Sequence, residues 1–370
     1  MKPIVHLIAA ARPNFMKVAP LYHALKREEW CEPVLVHTGQ HYDPELSEVF
    51  LSELGLPSPD ISLGIGSGTH AEQTGRVMAA YERACIDSRP DWCIVAGDVN
   101  STLACTIASA KLQIPVAHLE AGLRSFDRSM PEELNRVVTD ALSSLLWTPS
   151  ADGTENLLRE GVPPERIEMV GNIMIDSYEM MRPRIVAAAR SSRHGLADAE
   201  YGVVTLHRPA NVDDEVMLGI IVRELRAASQ RLKLVFPIHP RTRLRLEQTG
   251  LLRGLESESG ITLLPPIGYV EFMALVEGAR LIVTDSGGVQ EETTYLGIPC
   301  LTVRPNTERP VTVTLGTNRL VAPGELCRAA MAALDSRAPT PRRPPLWDGR
   351  TAARVADSLR RNSKIGPRSR

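Results

Sequence analysis

Short β-branched runs alternate with helical periods along most of the chain, and this alternation limits the possible folds more than any other feature. In the first half, strands are predicted near residues 4–8, 34–37, 93–96 and 116–119, with helices over 16–26, ending near 84, and over 101–111 between them. The second half repeats the style, with strands near 202–206, 232–237, 261–264, 281–284 and 300–303. Such an order builds a parallel sheet with helices on both faces. At 370 residues the chain exceeds one ordinary core, so two doubly wound α/β domains are expected, and two domains imply a cleft. The expected boundaries are 1–170 and 171–350, the first domain carrying acidic strand tips. The Pro-rich stretch 339–345 breaks helix continuity; a last helix over 351–359 is expected to pack back on the first domain, and the basic tail 360–370 to fray.

Hydrophobic residues make up 43% and charged residues 23%, which suits a soluble globular chain. Lys plus Arg is 42 against 44 for Asp plus Glu, a net charge of -2, so no global positive field is available for a nucleic acid. Any bound anion must be held locally. Cys31, Cys85, Cys93, Cys105, Cys300 and Cys327 show no C-x-x-C spacing and several fall inside apolar patterns, where they read as reduced and buried. The apolar run at 4–11 is interrupted by His6 and too short for a signal sequence or a membrane span, which points to a cytoplasmic protein with no membrane partner.

Ligands of open α/β sheets sit beyond the carboxyl ends of the strands, so polar residues just after the apolar runs are the first candidates. After strand one the chain reads Ala11-Arg12-Pro13-Asn14-Phe15-Met16-Lys17 and enters a helix. Unpaired N–H groups there favour an anion, with Arg12 and Lys17 beside them; the alternative is surface charge on a capped helix. A second junction, Asp285-Ser286-Gly287-Gly288, follows the run 281–284. Two glycines let backbone N–H groups approach a pyrophosphate, Ser286 offers a hydroxyl, and Glu292 one turn on could accept from ribose hydroxyls; a plain strand-to-helix turn is the alternative. The pattern lacks the Gly-Lys spacing of a P-loop.

Three carboxylates gather in the first half: Asp98 and Glu120, each after a strand, and Glu132 in Pro131-Glu132-Glu133. Acids crowded in one cleft have their pKa values pushed apart, which lets one site hold a proton donor and an acceptor. Asp98 also reads as an N-cap for the helix at Ser101, and Glu133 as solvent-facing. His207, with Arg208, and His239 end neighbouring strands, where either could meet a phosphate or be structural. No spacing suggests a zinc site or a nucleophile elbow.

Taken together, Arg12-Pro13 with Lys17, Gly97-Asp98, His118-Leu119-Glu120-Ala121-Gly122-Leu123-Arg124, Pro131-Glu132-Glu133 with Asn135-Arg136, Gly171-Asn172, His207-Arg208, Asp285-Ser286-Gly287-Gly288 with Gln290-Glu291-Glu292, and Thr307-Glu308-Arg309-Pro310 resemble the non-hydrolysing UDP-N-acetylglucosamine 2-epimerase family. The resemblance runs from about residue 4 to residue 359 and implies two Rossmann-like domains facing a cleft, the GT-B type. It implies a catalytic set of Asp98, Glu120, Glu132 and His207. It implies that Arg12, Ser286, Gly287, Gly288 and Glu292 hold UDP, with Lys17, Arg136 and Arg309 as supporting charges, and His239 and Phe272 are further expected substrate contacts. The implied reaction eliminates UDP as the C2 proton leaves, gives a glycal-like intermediate, and returns UDP with C2 reprotonated on the opposite face. It needs acid/base groups on both ring faces and cations for the pyrophosphate, and no metal or redox cofactor. The family also implies a homodimer.

Two departures bear on these expectations. Asn14-Phe15 stands where better-known members carry Glu-Ala or a similar pair, beside the expected sugar pocket. Gln40-His41-Tyr42 stands where bacterial relatives carry a Gln-His-Arg stretch that helps bind a second sugar nucleotide as activator, a departure that argues against allosteric activation and leaves Gln40, His41 and Arg76 as the candidates to retain part of that site. The rival readings are a 2-epimerase of a related modified UDP-hexosamine, a hydrolysing epimerase that releases free N-acetylmannosamine, and a GT-B glycosyltransferase, for which no acceptor-facing amphipathic stretch is visible.

Overall fold

The computed structural model describes residues 2–39, 51–191, 200–335 and 343–363. The chain divides into two compact units, Met1–Met180 with Pro345–Arg370, and Met181–Pro344. Gln40 and His41 lie outside the described residues, as does the side chain of Arg12.

The sheet of the first unit contains β1 (Ile4–Ala9), β2 (Glu32–His37), β3 (Ile61–Ser62), β4 (Trp92–Ala96), β5 (Val116–Leu119), β6 (Leu145–Thr148) and β7 (Ile167–Met169), in the order β3-β2-β1-β4-β5-β6-β7. Every neighbouring pair is parallel. β4, β5 and β6 are buried at every residue, as central strands covered on both faces must be. The chain works outward from β1 to β3 and then returns to lay β4 on the other side of β1. The carboxyl ends of β1 and β4 therefore flank the point where strand order reverses, which is where open sheets bind ligands.

The helices of this sheet are α1 (Arg12–Lys26), α2 (His70–Asp87), α3 (Asn100–Lys111), α4 (Pro131–Leu142), α5 (Ala151–Arg159) and α6 (Ile173–Ser191), the last ending in the second unit. α1 starts ahead of the expected residue 16 because Pro13 fits the first turn, where its fixed φ is already helical and its missing N–H has no partner to lose. α2 opens with a reciprocal Thr69–Glu72 capping box and buries Val77, Tyr81 and Cys85 at helical spacing against Ile8, Val36, Val95 and Cys105. The C-terminal helix Thr351–Ser363 packs on α1. Asp176 caps it by accepting from the Thr351 and Ala352 N–H groups at 3.1 and 2.8 Å, and the indole of fully buried Trp147 donates to Ser358 Oγ at 2.9 Å.

The second unit repeats the pattern with β8 (Tyr201–Thr205), β9 (Lys233–Pro237), β10 (Ile261–Leu264), β11 (Leu281–Thr284), β12 (Cys300–Thr302) and β13 (Asn318–Leu320), in the order β10-β9-β8-β11-β12-β13. All pairs are again parallel. Its helices are α7 (Pro209–Val212), α8 (Glu215–Ser229), α9 (Pro240–Gln248), α10 (Leu252–Glu256), α11 (Tyr269–Glu277), α12 (Gly287–Leu296), α13 (Val311–Thr314) and α14 (Leu326–Asp335). α8, capped by Asp214, turns Leu218, Ile221, Val222 and Leu225 onto Leu234, Phe236, Leu281 and Val283. Here the strand order reverses between β8 and β11. Five of the cysteines are buried, Cys327 is half-buried, and none is in a disulfide. Among the described residues no helix is long and apolar enough to cross a membrane.

Candidate active site

In the first unit the chemistry collects behind the tips of β1, β4 and β5. Gly97 follows β4 at φ 70, and a Cβ placed there would stand 2.7 Å from Lys17 Nζ. Only glycine accepts that backbone conformation at no cost and leaves room for the ammonium group. Lys17 reaches through this space from α1 to Glu120 Oε2 at 2.5 Å, with side chains 12% and 3% exposed. Lys17 is thus engaged by a carboxylate. Glu120 itself is held at φ 73, a region where a non-glycine residue stores strain, while its N–H donates to the Trp147 carbonyl at 3.1 Å. Its Oε1 is buried with no hydrogen-bond partner among the described residues. Asn14, at the position that departs from the family, is buried; its amide donates to the Ala96 carbonyl at 2.9 Å, and its Oδ1 likewise has no partner among the described residues.

Asp98 does not cap the next helix. Val99 is the N-cap of α3 and makes no side-chain cap bond. The Asp98 Oδ2 instead accepts from Arg136 Nε at 3.0 Å and Nη2 at 2.7 Å. Arg136 Nη1 also donates to Glu133 Oε2 at 2.7 Å, so one buried guanidinium ties two carboxylates together. The solvent-facing assignment of Glu133 is therefore overturned: it is 2% exposed and accepts from the N–H groups of Ser125 and Phe126, both at 2.9 Å. Its neighbour Glu132, in the first turn of α4, is the exposed acid of the pair. Arg76 is exposed on α2 and donates to the Ser67 carbonyl at 2.9 Å.

A buried chain of charge lies beneath this cluster. His118 Nε2 meets the Gly97 carbonyl at 2.9 Å and its Nδ1 meets Asp140 Oδ1 at 2.6 Å. Asp140 Oδ2 accepts from the Gly122 N–H at 3.1 Å and pairs with Arg124 at 2.7 Å. Burial works to raise the Asp140 pKa, but His118 and Arg124 outweigh it and hold the carboxyl below its usual range. Asp140 was not among the sequence candidates.

In the second unit the switch between β8 and β11 brings His207 and Arg208 beside Asp285, Ser286, Gly287 and Gly288. Ser286 is the N-cap of α12 without a side-chain cap bond, and the first turn holds no acid, so the leading N–H groups are placed for an anion. Arg309 is buried at 8% exposure with Nε 2.8 Å from Glu291 Oε1, and it also pairs with Glu308; a Cβ at Gly287 would meet its Nη1 at 2.6 Å. The cation thus sits against the start of the helix, anchored by acids on its inner side. Glu292 is buried, and burial lifts its pKa to about 8, opposed by the Tyr269 hydroxyl that donates to it at 2.8 Å and reinforced by Glu291. Phe272 is half-buried on α11, which also carries Tyr269.

His239 is exposed and caps α9, its Nδ1 accepting from the Arg241 N–H at 3.2 Å. Its pKa is lowered by burial first and then by His207 and Arg241. The two imidazole rings lie 5.8 Å apart. Sequence reasoning missed Asp285 and Tyr269 as members of this site. Asp285 directly follows a strand, the signal used for Asp98 and Glu120, whereas Tyr269 had no strand-end signal to find it.

Comparison with known proteins agrees over nearly the full length. Residues 23–360 match the family described as UDP-N-acetylglucosamine 2-epimerase. A UDP-N-acetylglucosamine 2-epimerase of Methanocaldococcus jannaschii is 43% identical over 323 residues, 85% of this chain and 87% of that protein. A UDP-2,3-diacetamido-2,3-dideoxy-D-glucuronate 2-epimerase of Pseudomonas aeruginosa is 40% identical over 318 residues, with the same coverage of both chains. The crystal structure of the M. jannaschii UDP-GlcNAc 2-epimerase in complex with UDP-GlcNAc and UDP superposes with a TM-score of 0.87 at 39% identity, covering 97% of this chain and 99% of that one.

Proposed function

Because the chain belongs to the UDP-N-acetylglucosamine 2-epimerase family, we propose that it interconverts UDP-N-acetylglucosamine and UDP-N-acetylmannosamine without net hydrolysis. The C2 proton is not α to a carbonyl, so removing it alone would leave an unstabilised carbanion. Elimination avoids this. A base takes the C2 proton, the C–H electron pair forms the C1=C2 double bond, and the C1–O bond breaks with its pair going to UDP. Re-addition returns the UDP oxygen to C1 while an acid protonates C2 on the opposite face.

Asp98, Glu120, Glu132 and His207 are the proposed acid/base groups, with Lys17 and Arg136 supplying positive charge beside the first two. The start of α12 with Ser286, Gly287 and Gly288 is the proposed pyrophosphate seat. Arg12 and Arg309 are proposed UDP contacts, and Glu292, which accepts from the Tyr269 hydroxyl, is the proposed contact for the ribose hydroxyls. His239 and Phe272 are further proposed substrate contacts. The observation that carries the reading is Glu120: a strained, buried carboxylate with one oxygen on an ammonium group and the other without a partner among the described residues. Phosphorus and proton NMR of the protein with UDP-N-acetylglucosamine test it. The expected result is a second intact UDP-sugar with a new anomeric signal; free UDP accumulating in step with free N-acetylmannosamine would refute it.

The P. aeruginosa relative favours a second reading, the same inversion on a 2,3-diacetamido uronate. Parallel kcat/KM measurements on the two sugar nucleotides separate them. The free cysteines fit a reducing cytoplasm. α4 exposes Leu134, Val138 and Leu142 at a spacing of four, a stripe suited to the interface of a homodimer, which light scattering with a Leu134→Glu, Val138→Glu control tests.

A further inference from the structure

His207 and Asp285 stand at the carboxyl ends of adjacent strands, β8 and β11, whose register pairs Thr205 with Thr284. Asp285 is 0% exposed, and all of its described partners are donors. Its Oδ2 accepts from the His207 N–H at 3.0 Å, the Arg208 N–H at 2.9 Å and the Asn211 amide at 3.0 Å. Its Oδ1 lies 3.1 Å from the same His207 N–H and 3.0 Å from His207 Nδ1. Burial acts to raise the Asp285 pKa, but His207, the Arg208 N–H and Asn211 outweigh it and hold it below the usual carboxylate range. An ionised carboxylate can only accept, so Nδ1 of His207 must carry a proton. The imidazole itself is 40% exposed. The other titratable groups at hand are His239, whose Nδ1 is occupied by the Arg241 N–H, and the Arg241 guanidinium, which is paired with Asp213.

We propose that Asp285 is the positioning residue for His207: it fixes Nδ1 as the protonated nitrogen, sets the plane of the ring, and turns Nε2 toward the sugar nucleotide. A buried acid that orients a histidine in this way selects both tautomer and direction without exchanging a proton itself. The inference rests on the proposed function in giving His207 a part in the reaction. The tautomer does not depend on that reading.

Two measurements on the full chain test it. In two-bond proton–nitrogen correlation spectra, assigned with His207→Gln, the His207 ring should show a protonated Nδ1 in the resting protein. Asp285→Asn should then change that pattern. The backbone N–H groups claim the amide oxygen, which turns the amide nitrogen toward Nδ1 and forces it to accept. An unprotonated Nδ1 in the unaltered protein overturns the proposal whether or not the protein epimerises anything. In kinetics, Asp285→Asn should lower kcat about 10²–10⁴-fold with KM changed far less, as removal of an orienting acid does. In the His207→Gln background the same change should cost less than about threefold, because residues acting as a unit are not additive. Equal losses in both backgrounds would show that Asp285 acts through the fold alone and would overturn the proposal. Absence of epimerisation in the unaltered protein would sink the proposed function and leave the NMR result to decide this one.

Discussion

Replacing Arg136 with Met removes one buried cation from between two carboxylates while keeping much of the side-chain volume. The side chains of Arg136 and Glu133 are each 3% exposed and that of Asp98 is 25% exposed, so solvent replaces little of the lost interaction. Breaking a buried ion pair by deleting one partner costs about 3–5 kcal/mol, because the other charge is left behind. Glu133 keeps three donors, from the Ser125 N–H and hydroxyl and the Phe126 N–H, and Asp98 can hydrate. These place the cost near the low end, about 3 kcal/mol. For a unit of this size that is a fall in Tm of roughly 6–12 °C. Differential scanning calorimetry near neutral pH reads it directly, and the shift should hardly change with added salt since the pair is sheltered. In a Glu133→Gln background the same substitution should cost about 1–3 kcal/mol less, the coupling expected of contacting groups. A Tm within about 2 °C of the unaltered protein, against the fall worked from the same relation, would refute the claim that this guanidinium holds the acids in place.

Gly97→Ala should lose about 1–2 kcal/mol from the left-handed backbone alone, but a much larger share of turnover, because its methyl group would displace Lys17 from Glu120; unchanged kcat would contradict this. Gly287→Ala should weaken UDP binding measured by calorimetry, since the added carbon meets the anchored Arg309 at 2.6 Å, and unchanged affinity would count against the helix start as the pyrophosphate seat. Glu292 gives a pH signature: its folded pKa of about 8 lies above the ordinary 4.5, so the unfolded chain ionises first and stability falls as pH rises between those values. Inside that window one proton separates the two states, so the slope approaches about 1.4 kcal/mol per pH unit. Glu292→Gln should flatten the urea-unfolding profile over that range, and parallel profiles for the two proteins would contradict the assignment.

Sequence showed the strand tips well because each is a polar residue directly after a continuous apolar run. Asp98, Glu120 and His207 all lie at such tips, and so does Asp285, which was passed over as a site residue despite the same signal. It showed partners poorly, since Lys17 meets a carboxylate 103 positions away and Asp98 a guanidinium 38 positions away, distances that no local pattern encodes. The N-cap reading of Asp98 was a local rule overruled by that distant cation. Glu132 and Glu133 are adjacent and alike, and the helical phase that buries the second follows from its i,i+3 pairing with Arg136, a spacing present in the sequence. β6 was missed because Leu145–Thr148 is a short apolar run, which periodicity alone cannot tell from a buried helix turn. β13, three residues long, gave even less signal.

The account as a whole turns on a proton that leaves C2 and is replaced from the protein while UDP stays in play. Incubating the chain with UDP-N-acetylglucosamine in heavy water and locating deuterium by NMR tests this most directly. The account predicts deuterium at C2 of the manno product, with the UDP-sugar linkage intact. A manno product that retains its original C2 hydrogen would contradict it.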